Sequence, residues 1–456
     1  METEDPYPFI SVSPSKIPTG TTSTAVQPAR PGWQVSRPLK RLIILLVLIA
    51  VCTTHSAPQS WNDQSRMGTI QALVESRSFV IDKTDFAGTG DKVSIGGHFY
   101  SDKPPMPQVL GAVIYLPLHH FGFRLSNGTN FSYYLITLLT VALFWVLGTL
   151  AFFYSLRFTG LNPEQRLLPS LALGFGSLYF TWSQTFNGHG LAAGLLAIGF
   201  CFLLRARHEG HVSCNLAVAG LFLSLAATAD MPTGIYYAVF GLYIVRDPLL
   251  RGRALFYVAP LLVTLVPALA INYSIHHSIV PVQIVQAYFQ YPGSPWLGSA
   301  SEQLSGTHTN DLEFFRTYAV RTLVGPHGFL LYNPFLVIAV WGLAREIRRK
   351  GPFFFEAIAM ATGSTVLLLY YWLSTNNYGG WAYSIRWFVP MLPLLFFFLY
   401  PYFEAFDPRR RRWFQALLCV SVIIAAVGAA NPWAAVGPAD VPFKVNFKIF
   451  LTEWGW

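Results

Sequence analysis

The sequence predicts an all-α polytopic membrane protein: a bundle of about eleven transmembrane helices, with further helices lying at the interface in one long loop. Three observations carry this prediction. Charged residues make up only 12% of the 456 residues, against about 25% in soluble domains. Hydrophobic residues reach 53%, with 37 Phe, 22 Tyr and 13 Trp, which is more apolar surface than one water-soluble core hides. Apolar runs also recur from residue 42 to residue 430, approaching the length of about 20 residues that crosses a bilayer though often shorter or broken by one polar residue. The formal charge of +9 is spread through short connections and forms no basic stripe, so the partner it points to is the lipid bilayer and not a nucleic acid.

Taken in order, residues 1–38 are polar and rich in Pro, Ser and Thr, and read as a disordered cytoplasmic tail. They are too long for the n-region of a cleavable signal, so the run that follows is a retained first span. The membrane domain covers residues 39–430, with spans at 39–56, 130–156, 167–184, 189–205, 215–229, 232–246, 254–273, 328–344, 353–373, 387–403 and 413–430. Asp230-Met231-Pro232 marks a tight hairpin between two short spans. Residues 431–456 form a tail too short for a separate large domain. Cys52, Cys201 and Cys419 lie in apolar runs and Cys214 borders one, a distribution that builds no disulfide framework.

Orientation follows from the basic residues, which concentrate in cytoplasmic loops. Arg157, Arg166, Arg205, Arg207, Arg246, Arg251, Arg253, the Arg345–Lys350 cluster and the Arg409–Arg412 run all fall on one side with the basic end of the tail. This predicts a plasma or inner-membrane protein with its N-terminus cytoplasmic and its C-terminus external. The stretch Pro104–Phe123 would invert that count if it crossed, so it is placed as an interfacial helix anchored by Tyr115, His119 and His120. Two sizeable external loops remain, 57–129 and 274–326, and chemistry is sought there.

In the first loop, Met67, Ile70, Leu73 and Val74 recur at helical spacing, which predicts an amphipathic surface helix capped by Asn62. Asp63 then sits in the first turn, where it either acts as a general base or complements the helix end. Further on, Tyr100-Ser101-Asp102-Lys103-Pro104-Pro105 fixes Lys103 just before a proline-started helix. Its ammonium either meets a phosphate headgroup or snorkels beside Asp102. His189 reads as a catalytic or a merely satisfied turn histidine, Asp230 tops the hairpin, and Arg386 opens a late span, where a charge at membrane depth marks a polar cavity.

These landmarks resemble the C-type superfamily of membrane glycosyltransferases (GT-C), in particular the branch with the protein O-mannosyltransferases and the lipid A aminoarabinose transferase. The likeness rests on an acidic residue followed three positions later by Arg, as in Asp63-Gln64-Ser65-Arg66, and on the Lys103-Pro104-Pro105 close of the first loop. Gly379-Gly380-Trp381-Ala382-Tyr383-Ser384-Ile385-Arg386 is similar to a glycine-rich turn before a late span in related sequences. The resemblance implies a transferase that moves a sugar from a polyprenyl-phosphate carrier to an external acceptor. On it, Asp63 is the base or acceptor-orienting carboxylate and Lys103 holds the carrier phosphate. Arg386 is assigned as a second phosphate contact, with Arg66, Tyr100, Asp102, His189, Asp230 and Tyr383 as further site candidates. Gln64 stands where the branch often has Glu, and no Asp-x-Asp occurs in the first loop, so no metal and no other cofactor is expected. The alternative class is a transporter or flippase, for which charges and broken helices within the spans are the expected marks.

Overall fold

The computed structural model describes residues 36–297, 311–404, 407–434 and 436–453. Most of the predicted tail, part of the loop at 274–326 and the last residues of the chain lie outside them. Among the described residues the architecture is helical apart from one hairpin. Helix α1 (Arg37–Thr53) leads into α2 (Trp61–Glu75), the hairpin β1 (Lys92–Ile95) and β2 (His98–Ser101), and α3 (Met106–His120). Among the described residues, seven helices are long and apolar enough to cross a membrane: Phe131–Thr159, Gly188–His208, Val212–Ala229, Arg251–His276, Phe354–Ser374, Arg386–Phe403 and Pro408–Ala430. The other expected spans are shorter or broken. The first is α1 itself and the sixth is the helix Gly234–Arg246.

The third expected span, 167–184, is interrupted: a helix at Pro163–Gly174 stops, and a single turn resumes at Leu178–Thr181. The eighth, near 328–344, is the second arm of a pair, Leu312–Tyr332 and Phe335–Arg349, bent by 97° at Asn333-Pro334. One side chain closes both breaks. Asn333 Oδ1 accepts the Leu178 N–H at 2.8 Å while its Nδ2 donates to the Phe329 carbonyl at 2.8 Å, so backbone groups freed in an apolar interior recover partners.

The core is packed through small residues, as expected where lipid is as oily as the protein. A Cβ on Gly194 would lie 2.3 Å from the Phe144 carbonyl oxygen, so the helices Phe131–Thr159 and Gly188–His208 touch backbone to backbone. This contact fixes the start of the second helix, which carries part of the site. At the far end of the bundle, buried Glu356 meets Arg207 and Tyr243, and buried Glu346 meets Tyr400 and the Phe353 N–H at 2.6 Å.

Three expectations for the first loop are corrected. Helix α2 is not a surface helix, because Asn62, Asp63 and the stretch from Ser65 to Ala72 are buried apart from Gln64, leaving no wet face. Its cap is Ser60 and not Asn62. Helix α3 does present an apolar face, with Val113, Leu116 and Phe121 exposed. Tyr115 is no anchor on that face, since it is buried and donates to Glu75 at 2.6 Å.

Candidate active site

The site grows from the start of α2. Ser60 accepts the Asn62 and Asp63 N–H groups, and Asp63 returns a bond to the Ser60 N–H at 2.8 Å, a closed capping box. Asp63 is 0% exposed and surrounded by donors. Its Oδ1 accepts from Ser60 N, Ser60 Oγ (3.1 Å) and Gln64 N (3.0 Å). Its Oδ2 accepts from Gln59 N (2.8 Å), Tyr133 Oη (3.2 Å) and Thr185 Oγ1 (3.4 Å). Burial pushes the carboxyl up to about 6 against the pull of those donors.

One turn later Arg66 is 4% exposed. Its Nε donates to Asn62 Oδ1 at 3.3 Å, and its Nη1 is buried with no partner. Burial pulls this guanidinium down to about 10; attraction to Asp102 opposes that, and repulsion from Arg386 adds to it. Gly188 lies close above: a Cβ there would stand 3.6 Å from Arg66 Nη2.

The hairpin delivers the next group. Lys92 pairs with Ser101, and Gly96 and Gly97 turn the chain with φ of +60° and +83°. Ser101 shares a 2.7 Å hydroxyl bond with Ser65 of α2, and Ser65 also reaches Asp102 at 3.4 Å. Lys103 Nζ lies 2.8 Å from both Asp91 and Asp102. Its charge is thus opposed by two carboxylates where the sequence suggests at most one. Burial raises Asp102, an effect that Lys103 counters. Tyr100 lines a small cavity with Thr69, Ser101, Lys103 and Asn272.

Arg386 comes from the other end of the chain. Asn377 Oδ1 accepts the N–H groups of Gly379 and Gly380, both at positive φ, and Ser384 at φ +63° bonds the His327 carbonyl at 2.8 Å. This strained turn sets the Arg386 guanidinium 4.6 Å from the centroid of the Trp433 ring and 5.9 Å from that of Trp182. Arg386 Nε and Nη1 and Trp182 Nε1 are buried and find no partner among the described residues. Together with Arg66 Nη1, four donors lack an acceptor.

His189 sits in the first turn of Gly188–His208, which Asn187 caps at 2.8 Å through Gly190 N. Its Nδ1 lies 2.7 Å from Asp230 Oδ2, and Asp230 ends the helix Val212–Ala229 where the sequence places the hairpin. Charge interactions link His189 and Asp230 to Arg66 and Arg386. Tyr383 stands apart: its hydroxyl donates to the Ile424 carbonyl at 2.7 Å within the core. Among the described residues no three His, Cys, Asp or Glu side chains gather to hold a metal ion.

The structure therefore brings Arg66, Arg386, His189, Asp230, Asp102 and Lys103 into one charged cluster. Sequence reasoning misses Trp182, Trp433, Tyr133 and Thr185. These are ordinary residues of apolar runs or of the C-terminal segment, and only the fold shows that Trp433 Nε1 donates to Thr185 at 3.0 Å, beside Asp63.

No family model matches the chain, and no curated protein is similar to it at a significant level. Solved structures are. ArnT from Cupriavidus metallidurans superposes with a TM-score of 0.54 at 15% identity, over 85% of this chain and 62% of that one. The chain shares its helical membrane fold with that protein. ArnT bound to undecaprenyl phosphate matches at 16% identity over 90% of this chain and 75% of its own, again with a TM-score of 0.54. The archaeal oligosaccharyltransferase AglB from Archaeoglobus fulgidus, in complex with an inhibitory peptide and a dolichol-phosphate, matches at 13% identity over 87% of this chain and 56% of its own, with a TM-score of 0.53. The chain thus spans less than two thirds of the first ArnT and AglB structures.

Proposed function

We propose that the protein is an integral-membrane glycosyltransferase that takes a hexose or pentose from a polyprenyl-phosphate carrier and passes it to a hydroxyl acceptor on the external face. The observation that carries this reading is the set of four buried, unpartnered N–H donors on Arg66, Arg386 and Trp182. Donors left unpaired in an apolar surround cost about 1–3 kcal/mol each, and a phosphate, which offers only acceptors, relieves all of them at once. The relatives bound to undecaprenyl phosphate and dolichol-phosphate support a carrier of that chemistry.

In this reading Arg66 and Arg386 clamp the donor phosphate and stabilise the charge that grows on it as the sugar leaves. Lys103 is held at the edge of the cluster by Asp91 and Asp102, which offset its charge, so its contact with the carrier is the weaker one. With six donors around it, Asp63 holds the start of α2 and so aims Arg66, a positioning role in place of the base suggested by its position in sequence. The bilayer brings the carrier, and water or lipid brings the acceptor, which is a lipid, a glycan or a protein. The two helix breaks are a mark that a transporter also carries; what favours transfer chemistry is the gathering of Arg66, Arg386, His189 and Asp230 in one cluster.

The test is transfer in detergent from radiolabelled undecaprenyl-phosphate hexoses and pentoses, comparing wild type with Arg386→Ala, Arg66→Ala and Lys103→Ala. Both arginine variants are expected to lose carrier binding, and Lys103→Ala to weaken it less. Binding of undecaprenyl phosphate that is indifferent to both arginines sinks the assignment.

A further inference from the structure

We infer that His189, oriented by Asp230, is the general base of the transfer, an inference that rests on the transferase reading above. Displacement at the anomeric carbon needs a group to take the proton of the acceptor hydroxyl. Asp63 is ill placed for this, since both its oxygens already accept three bonds at 2.8–3.4 Å and none of its surface is exposed. Asp91 and Asp102 are committed to Lys103. His189 differs on each count.

Its Nδ1 bonds Asp230 Oδ2 at 2.7 Å, which fixes the ring and places the neutral tautomer's proton on Nδ1. Nε2, the remaining lone pair, takes no hydrogen-bond partner among the described residues, and the side chain is 13% exposed. The backbone holds the ring just as firmly. A Cβ on Gly190 would stand 2.3 Å from the Trp182 carbonyl oxygen, and one on Gly188 would stand 2.6 Å from the Ala229 carbonyl oxygen, so the turn admits no bulk on either side of His189. The same turn borders the phosphate donors, for Gly188 faces Arg66, and Trp182 lies under Arg386.

The step balances within the site. The acceptor O–H proton moves to His189 Nε2, the oxygen bonds the anomeric carbon, and the bond from that carbon to the phosphate oxygen breaks with its electron pair passing to the phosphate. The carrier phosphate departs on Arg66 and Arg386, and the imidazolium returns its proton to water. Asp230 touches neither substrate and is a positioning residue. The charged and titratable groups facing this pair are Arg66, Arg386, Tyr370 and Tyr371.

The experiment measures turnover of radiolabelled undecaprenyl-phosphate hexoses and pentoses, with undecaprenyl phosphate binding read separately by native mass spectrometry. His189→Ala is expected to cut kcat by roughly 100-fold or more while binding of the carrier stays within twofold, and added imidazole restores part of the rate. His189→Gln, which keeps a polar side chain of similar reach, is expected to lose the rate as fully, and imidazole does not rescue it. Asp230→Asn lowers kcat and shifts the pH profile without changing donor KM. Retention of wild-type kcat by either His189 variant overturns the inference and leaves the transferase reading intact. Parallel loss of carrier binding and turnover in both also overturns it, since that marks a structural histidine. A wild type that binds no undecaprenyl phosphate overturns the transferase reading, and this inference with it.

Discussion

Asp63 offers a stability prediction whose sign can be worked from its surroundings. Burial raises its carboxyl from the ordinary 3.8 to about 6, so the folded protein binds this proton more tightly than the unfolded chain does. The resulting stabilisation is fully present below about pH 4 and is lost as the pH rises through 6. A displacement of about two units corresponds to about 3 kcal/mol, on the order of 5 °C in melting temperature for a chain of this size. Asp63→Asn abolishes the titration. The amide also loses bonds, since its NH2 group cannot accept from Gln59 N or Tyr133, and this gives the variant a constant offset. The informative quantity is therefore the slope. Melts of the detergent-purified protein from pH 4 to pH 7.5 are expected to fall with pH in wild type by that amount more than in Asp63→Asn. A wild-type slope of the opposite sign would show that the six donors outweigh burial and hold Asp63 ionised, refuting the argument from desolvation.

Arg386→Ala is expected to raise donor KM roughly 10–100-fold, the worth of about 1.5–3 kcal/mol for a charged hydrogen bond. Arg386→Lys should recover little, because an ammonium cannot reproduce the fork over Trp433; steady-state kinetics on both variants check this. Treatment with EDTA is expected to leave transfer unchanged, the acidic residues of the cluster being bound to Lys103 and His189; a loss reversed by magnesium or manganese would refute it. Asn333→Ala strips a buried partner from the Leu178 N–H and should cost about 1–3 kcal/mol, read as a lower melting temperature with donor KM unchanged.

The sequence makes the helical class legible because apolar runs of membrane length have few other uses, and it marks the Asp230 break through Pro232. It does not reveal that the third and eighth runs are broken, because hydropathy averages over Gly174–Leu178 and Asn333-Pro334, where the chain stays apolar while the helix stops. Of the site, Arg66, Lys103, Asp102, His189, Asp230 and Arg386 are visible as charges out of place in an oily chain. Their division of labour is not visible. That Lys103 is clasped by Asp91 twelve positions earlier, that Asp63 is enclosed, and that two guanidiniums carry the bare N–H groups all depend on contacts between distant segments. The helical periodicity of α2 misleads for a related reason: burial on all sides erases the contrast between faces that the pattern relies on.

Trp433 lies beyond the last membrane helix, yet its indole supports the Arg386 guanidinium and its N–H bonds Thr185 next to Asp63. The pocket cannot be completed until that residue has left the ribosome and the helix Pro408–Ala430 has inserted. Assembly of the charged cluster therefore waits on a segment far downstream of Arg66, and a chain that stops before Trp433 leaves the Arg386 guanidinium without its ring and Thr185 without the indole N–H.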